Sequence, residues 1–119
     1  ISELQEWYTQ AVGHKTSLYL YGDENLKGEK IAICPGGGNI RAVVQEMLEN
    51  GVKTLITGVT VDNEYSHEVH QLERENHINL LGGTHYSSEK YAPVAMCEYF
   101  TDLGLPSEFI DDMPCLYDL

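Results

Sequence analysis

Apolar residues in this chain come in short runs set off by turn-forming residues. Residues 18–21 (Leu-Tyr-Leu-Tyr), 31–34 (Ile-Ala-Ile-Cys), 54–57 (Thr-Leu-Ile-Thr) and 78–81 (Ile-Asn-Leu-Leu) each span four positions beside Gly, Pro or Asn. Runs of that length predict buried strands, and the weaker 108–110 (Glu-Phe-Ile) predicts a fifth. Helical spacing fills the gaps. Ile40, Val43, Val44, Met47 and Leu48 recur every three or four residues and stop at Asn50-Gly51, an ordinary helix end. Val69 and Leu72 make a thinner stripe between Glu64 and Asn76. Met96, Phe100 and Leu103 make another, closed by Gly104 and Pro106, and Leu4, Tyr8, Ala11 and Val12 open the chain as an amphipathic helix. Strands alternating with helices predict a single α/β domain over 1–119: three layers, with a mostly parallel sheet of four to five strands and flanking helices. Residues 23–30 read as a polar loop. The proline-broken, acidic stretch 111–119 is expected to be an edge strand or loosely attached.

Charge narrows the partners. Seven Lys and Arg against nineteen Asp and Glu leave −12 over 119 residues. Duplex nucleic acid and anionic membranes both repel such a surface. No apolar stretch is long enough to span a bilayer. No basic-then-apolar leader opens the chain, and Ile1 in place of Met raises the expectation that residues were removed upstream. Three cysteines, Cys34, Cys97 and Cys115, form no paired spacing, so reduced thiols and a cytoplasmic setting are expected.

Three loops follow three consecutive predicted strands: Pro35-Gly36-Gly37-Gly38-Asn39, Thr57-Gly58-Val59-Thr60 and Gly82-Gly83-Thr84-His85. In a parallel sheet they share one rim, where ligands of open α/β sheets bind. Gly36, Gly37 and Gly38 are expected to run from strand into helix with Asn39 as N-cap. Their amides would then hold an anion such as a phosphate or carboxylate. The plain alternative is a tight turn that lets strand and helix approach closely. A nucleotide cofactor is the least favoured reading, because the turn lacks a Lys-Ser/Thr pair and Arg41 takes the third glycine position of a dinucleotide fingerprint. His85 and Glu89 carry first-row metal-ligand chemistry four residues apart, the spacing that faces one side of a helix. Pro93 also allows His85 in the loop with Glu89 on an entering turn. A solvent-facing or capping pair is the alternative. Glu64, His67 and His70 would form a polar ridge on a helix, for metal or for proton transfer, or else a solvated face. His14 and His77 read as structural or surface residues. Tyr19 and Tyr21 give the first strand an aromatic face suited to solvent or to another subunit.

The order of these elements resembles a known family. Ile31-Ala32-Ile33-Cys34-Pro35-Gly36-Gly37-Gly38, then Leu55-Ile56-Thr57-Gly58, then Thr-His-Tyr-Ser-Ser-Glu at 84–89 are similar to the C-terminal half of the Ngg-interacting factor three family, also called GTP cyclohydrolase 1 type 2 homologues. The likeness runs from about Leu18 to Ile110. It implies that His85 and Glu89 belong to a dinuclear metal site of zinc, manganese or iron. Val59 stands where the family usually has an acid, which makes Glu64 and His67 the displaced equivalents. The remaining family ligands belong to an N-terminal half that this sequence does not contain. The chain is therefore expected to be a piece of a longer protein, a short member completed by another subunit, or a member that kept the fold and lost the metal. The implied function is a metal-binding domain of a hydrolase-like protein acting on a small, phosphate-bearing ligand, in a homo-oligomer. The alternative is a non-catalytic, homo-oligomeric assembly or regulatory domain.

Overall fold

The computed structural model describes residues 1–119. Helix α1 (Ser2–Val12) leads into strand β1 (Ser17–Tyr19). Strand β2 (Ala32–Cys34), helix α2 (Arg41–Glu49), strand β3 (Thr54–Thr57), helix α3 (His67–Glu75) and strand β4 (Asn79–Gly82) follow. Helices α4 (His85–Glu89) and α5 (Tyr91–Asp102) come next, and a single 3-10 turn covers Leu116–Asp118. The four strands form one sheet in the order β1-β4-β3-β2. Strands β2, β3 and β4 are parallel, and β1 runs antiparallel along β4. The mostly parallel α/β architecture expected from the apolar pattern is present.

Register sorts the sheet into two faces. Ala32, Leu55 and Leu80 stand side by side, as do Ile33, Ile56 and Leu81. The first row meets Val44 and Met47 of α2 and Val69 of α3, with Val52 and Ile78 closing the core. Leu55, Ile78, Leu80 and Val44 are fully buried, each worth roughly 1.5–3 kcal/mol of transfer free energy. On the opposite face Tyr8 of α1 reaches across the sheet, its hydroxyl donating to the Thr57 carbonyl at 3.4 Å. Helices therefore lie on both sides. Gly13 ends α1 with φ +77, its N–H donating to the Thr9 carbonyl, a left-handed turn that glycine makes at little cost.

Two expectations about the end of the chain fail. Residues 108–110 form no strand: no ladder partner lies beside them, and Ile110 is 87% exposed. An isolated strand leaves its backbone groups to water and gains nothing from a ladder. The stretch 111–119 is neither an edge strand nor loose. Tyr86 donates to the Asp111 carboxylate, the Asp112 N–H donates to the Tyr86 hydroxyl at 2.7 Å, and Asp118 docks on the sheet's rim. Helix α5 buries none of its residues, so its stripe of Met96, Phe100 and Leu103 does not enter this core. No helix is long and apolar enough to cross a membrane.

Candidate functional site

Cys34, Thr57 and Gly82, the last residues of β2, β3 and β4, lie in register, so the three following loops leave from one rim. Backbone bonds lock these loops together. The Gly36 carbonyl accepts from the Gly58 N–H at 3.1 Å and the Val59 N–H at 2.9 Å. The Gly36 N–H donates to Ser88 Oγ at 2.8 Å, which ties the first loop to α4. A second tie joins His14 Nε2 to Ser87 Oγ at 2.7 Å. His14, read from sequence as structural or surface, is thus a brace for α4.

Helix α4 begins at an unusual residue. Thr84 has φ +67 and ψ +151, a region that β-branched residues rarely enter. Such a conformation costs on the order of 1–3 kcal/mol and persists only where neighbours hold it. Here Thr84 Oγ1 accepts from the Ser87 N–H at 3.2 Å, and the Thr84 carbonyl accepts from the Ser88 N–H. Both His85 and Glu89 then fall on α4, not in the loop, and Pro93 lies in the first turn of α5, where its missing N–H is harmless.

The two side chains converge. His85 Nε2 lies 3.2 Å from Glu89 Oε2, and both are about half exposed. They stand directly over Gly36: a Cβ there would strike the Glu89 carboxylate and come within 2.8 Å of His85 Nε2, and Gly36 also has φ +67. Glycine is required at this position twice over, for space and for backbone conformation. An imidazole nitrogen and a carboxylate oxygen at one point suit zinc, manganese or iron. The pair offers two donors of that chemistry. No group of three His, Cys, Asp or Glu side chains in the chain is placed to hold a metal.

The other sequence candidates lie apart from this pair. Helix α2 starts at Arg41, with Ile40 flanking it, so Asn39 is not its N-cap. The Gly36 amide is taken by Ser88, and a Cβ on Gly38 would meet Cys34 Sγ at 2.7 Å. Close approach accounts for both glycines, as the tight-turn alternative holds; Gly37 meets nothing within 4 Å. The ridge of Glu64, His67 and His70 does not form. Glu64 lies in the turn before α3, while His67 is exposed and pairs through Nδ1 with Asp62 Oδ1 at 3.0 Å. His70 is fully buried. Positions three apart on this helix straddle its boundary with the core, so one faces water and the other the sheet.

His70 belongs to a buried polar cluster that sequence reasoning missed. Its Nε2 donates to the Thr60 carbonyl at 2.9 Å, and its Nδ1 accepts from the Tyr21 hydroxyl at 3.1 Å. Arg74 lies over the Tyr21 ring and donates to its hydroxyl at 3.3 Å. Glu73 is also fully buried, with Oε2 3.6 Å from His70 Nδ1. The Asn39 amide lies close enough to pull the Glu73 pKa down somewhat, yet neither Glu73 oxygen completes a well-formed hydrogen bond. Burial dominates and pushes the Glu73 carboxyl up to about 8, while burial lowers His70. Both groups are therefore neutral inside the fold near pH 7. A Glu at position 73 beside Arg74 and Glu75 reads as solvated in sequence.

Residues 2–113 match the family model Duf34/NIF3 (NGG1p interacting factor 3). The chain belongs to the Duf34/NIF3 family. A curated relative from Archaeoglobus fulgidus, named GTP cyclohydrolase 1 type 2 homolog, is 32% identical over 92 residues, which cover 76% of this chain and 34% of the relative. Among solved structures, protein ybgI, described as of unknown function, superposes with a TM-score of 0.74 at 22% identity, over 96% of this chain and 44% of that one. Reduced HcgD from Methanocaldococcus jannaschii gives 0.72 at 18% identity, over 89% of this chain and 40% of that one. The fold is thus shared with these structures at low identity, and this chain spans about a third of the curated relative's length.

Proposed function

We propose that this chain is the metal-binding domain of a hydrolase-like NIF3-family protein, with His85 and Glu89 holding a divalent cation of zinc, manganese or iron. The observation that carries this reading is the convergence of His85 Nε2 and Glu89 Oε2 above Gly36, where any side chain would strike both groups. A divalent ion at such a site supplies Lewis acidity and lowers the pKa of water. The chain's own residues do the positioning. Ser88 fixes α4 to the glycine turn, Gly36 keeps the approach open, and a net charge of −12 favours cations near the chain as a whole. Next to Ser88 a largely apolar hollow of about 250 Å³, walled by Tyr8, Ile33, Pro35, Ile56 and Tyr91, suits the body of a small ligand. A separate crevice near Asp23, Lys53 and His77 opens at the opposite end of the strands, away from this chemistry. The three free thiols support a reducing, cytoplasmic setting.

The test is metal titration by calorimetry with zinc, manganese and iron(II). Wild type should bind a divalent ion, and His85→Ala or Glu89→Gln should weaken binding at least roughly tenfold. If His85→Ala retains the affinity and stoichiometry of wild type, the reading fails.

The exposed apolar face of α5 favours a second reading, a homo-oligomeric assembly domain. Met96, Tyr99 and Leu103 are each more than half exposed, a face suited to another copy. Light scattering with and without chelator separates the two: an oligomer that forms without metal and a chain that binds none support assembly alone.

A further inference from the structure

We propose that the turn Leu116–Asp118 is a strap that sets the position of the metal-holding helix, with Asp118 as its positioning residue. This rests on the reading of His85 and Glu89 as metal donors.

Asp118 clasps two loops of the rim at once. Its carbonyl oxygen accepts from the N–H groups of Thr60, at 2.7 Å, and Val61, at 2.9 Å. Its carboxylate Oδ2 accepts from the His85 N–H at 2.8 Å. One residue therefore joins the loop after β3 to the first residue of α4. The family match ends at residue 113, so the strap lies outside the matched region.

The contact falls where the helix most needs it. The His85 amide belongs to the peptide that follows Thr84, whose backbone is held at φ +67. Strained peptides keep their geometry only when several contacts over-determine them. Helix α4 has five residues, too few for its own hydrogen bonds to hold it. Ser88 and Ser87 are braced by Gly36 and His14, which fixes the middle of α4. At His85 itself, the contact from outside the helix is Asp118. A rotation of this first residue would swing the imidazole away from Glu89. Asp118 is not a donor to the metal, since no third carboxylate, thiol or imidazole gathers with the pair.

The experiment compares wild type, Asp118→Ala and Asp118→Asn in the full chain. Amide hydrogen exchange is read residue by residue, and cobalt(II) binding is followed by its visible spectrum. Asp118→Ala should speed exchange at His85 roughly tenfold, leave Leu55 and Leu80 unchanged, weaken cobalt binding and alter the spectrum. Asparagine keeps an acceptor oxygen in the same place, so Asp118→Asn should restore most of the protection, the affinity and the wild-type spectrum. Unchanged His85 exchange in Asp118→Ala overturns the strap, whatever the metal does. Unchanged cobalt affinity and spectrum despite faster exchange overturns the positioning role. Failure of Asp118→Asn to rescue also overturns it, because charge and not geometry would then be at work. If wild type binds no cobalt while exchange responds as expected, the strap stands and the metal reading of His85 and Glu89 falls.

Discussion

Replacing Glu73 by Gln probes the buried polar cluster directly. Glu73 is fully enclosed, its carboxyl oxygens lack well-formed partners, and its pKa rises from an ordinary 4.5 to about 8. In the unfolded chain this group loses its proton near pH 4.5, whereas in the fold it keeps it until about 8. Unfolding therefore releases a proton between those values, and stability falls steadily as pH rises through that window. Each pKa unit is worth about 1.4 kcal/mol, so the burden is roughly 3 kcal/mol at pH 7. Gln has the same shape and no proton to lose. Glu73→Gln should match wild type near pH 4.5 and exceed it increasingly up to pH 8. At pH 7 its melting temperature should be higher by on the order of 10 °C. His70, lowered by burial, acts in the other direction, costing stability as pH drops below its ordinary 6.5. That contribution is common to both proteins, so the difference between their profiles isolates Glu73. The assay is urea or thermal denaturation from pH 4.5 to 8.5. If the two profiles run parallel, Glu73 does not titrate as described. If wild type is the more stable at pH 8, Glu73 and His70, 3.6 Å apart, form a charged pair in the fold and the neutral assignment is wrong.

Gly36→Ala should abolish divalent-metal binding measured by calorimetry, because its methyl group would occupy the space beneath His85 and Glu89. The strained φ of +67 should also cost roughly 1 kcal/mol or more in denaturant melts. At Thr84, alanine removes the cap to Ser87 and keeps the strained backbone, while glycine removes the cap and relaxes the backbone. Thr84→Ala should thus be less stable than Thr84→Gly by about 1 kcal/mol in the same melts, and the reverse order would show that φ at this residue is not strained.

Much of this molecule was legible in one dimension. The four apolar runs became β1 to β4 within one or two residues, since apolar side chains are needed wherever another layer covers the sheet. Strands β3 and β4 are largely buried as expected, whereas β1 and β2 are not, and Ile33 of β2 is 73% exposed. The helical stripes of α2 and α3 landed on the sheet for the same reason. The rim followed from strand order alone: parallel strands end at one edge, and that edge brought Gly36 together with His85 and Glu89. Elements without a second partner were harder. Residues 108–110 have strand composition and no strand to pair with, and α5 has a helical stripe and no core to enter.

The sequence by itself determined the α/β class, the glycine-lined rim and the candidate pair, because periodicity and four-residue spacing are properties of the backbone's own repeat. Tertiary structure alone decided that Glu73 and His70 face inward, that Asn39 turns toward them instead of capping α2, that Thr84 is held at positive φ, and that Asp118 closes on His85. These depend on contacts between residues distant along the chain. Their strength is set by burial and by which backbone groups remain free, and neither quantity is written in local pattern.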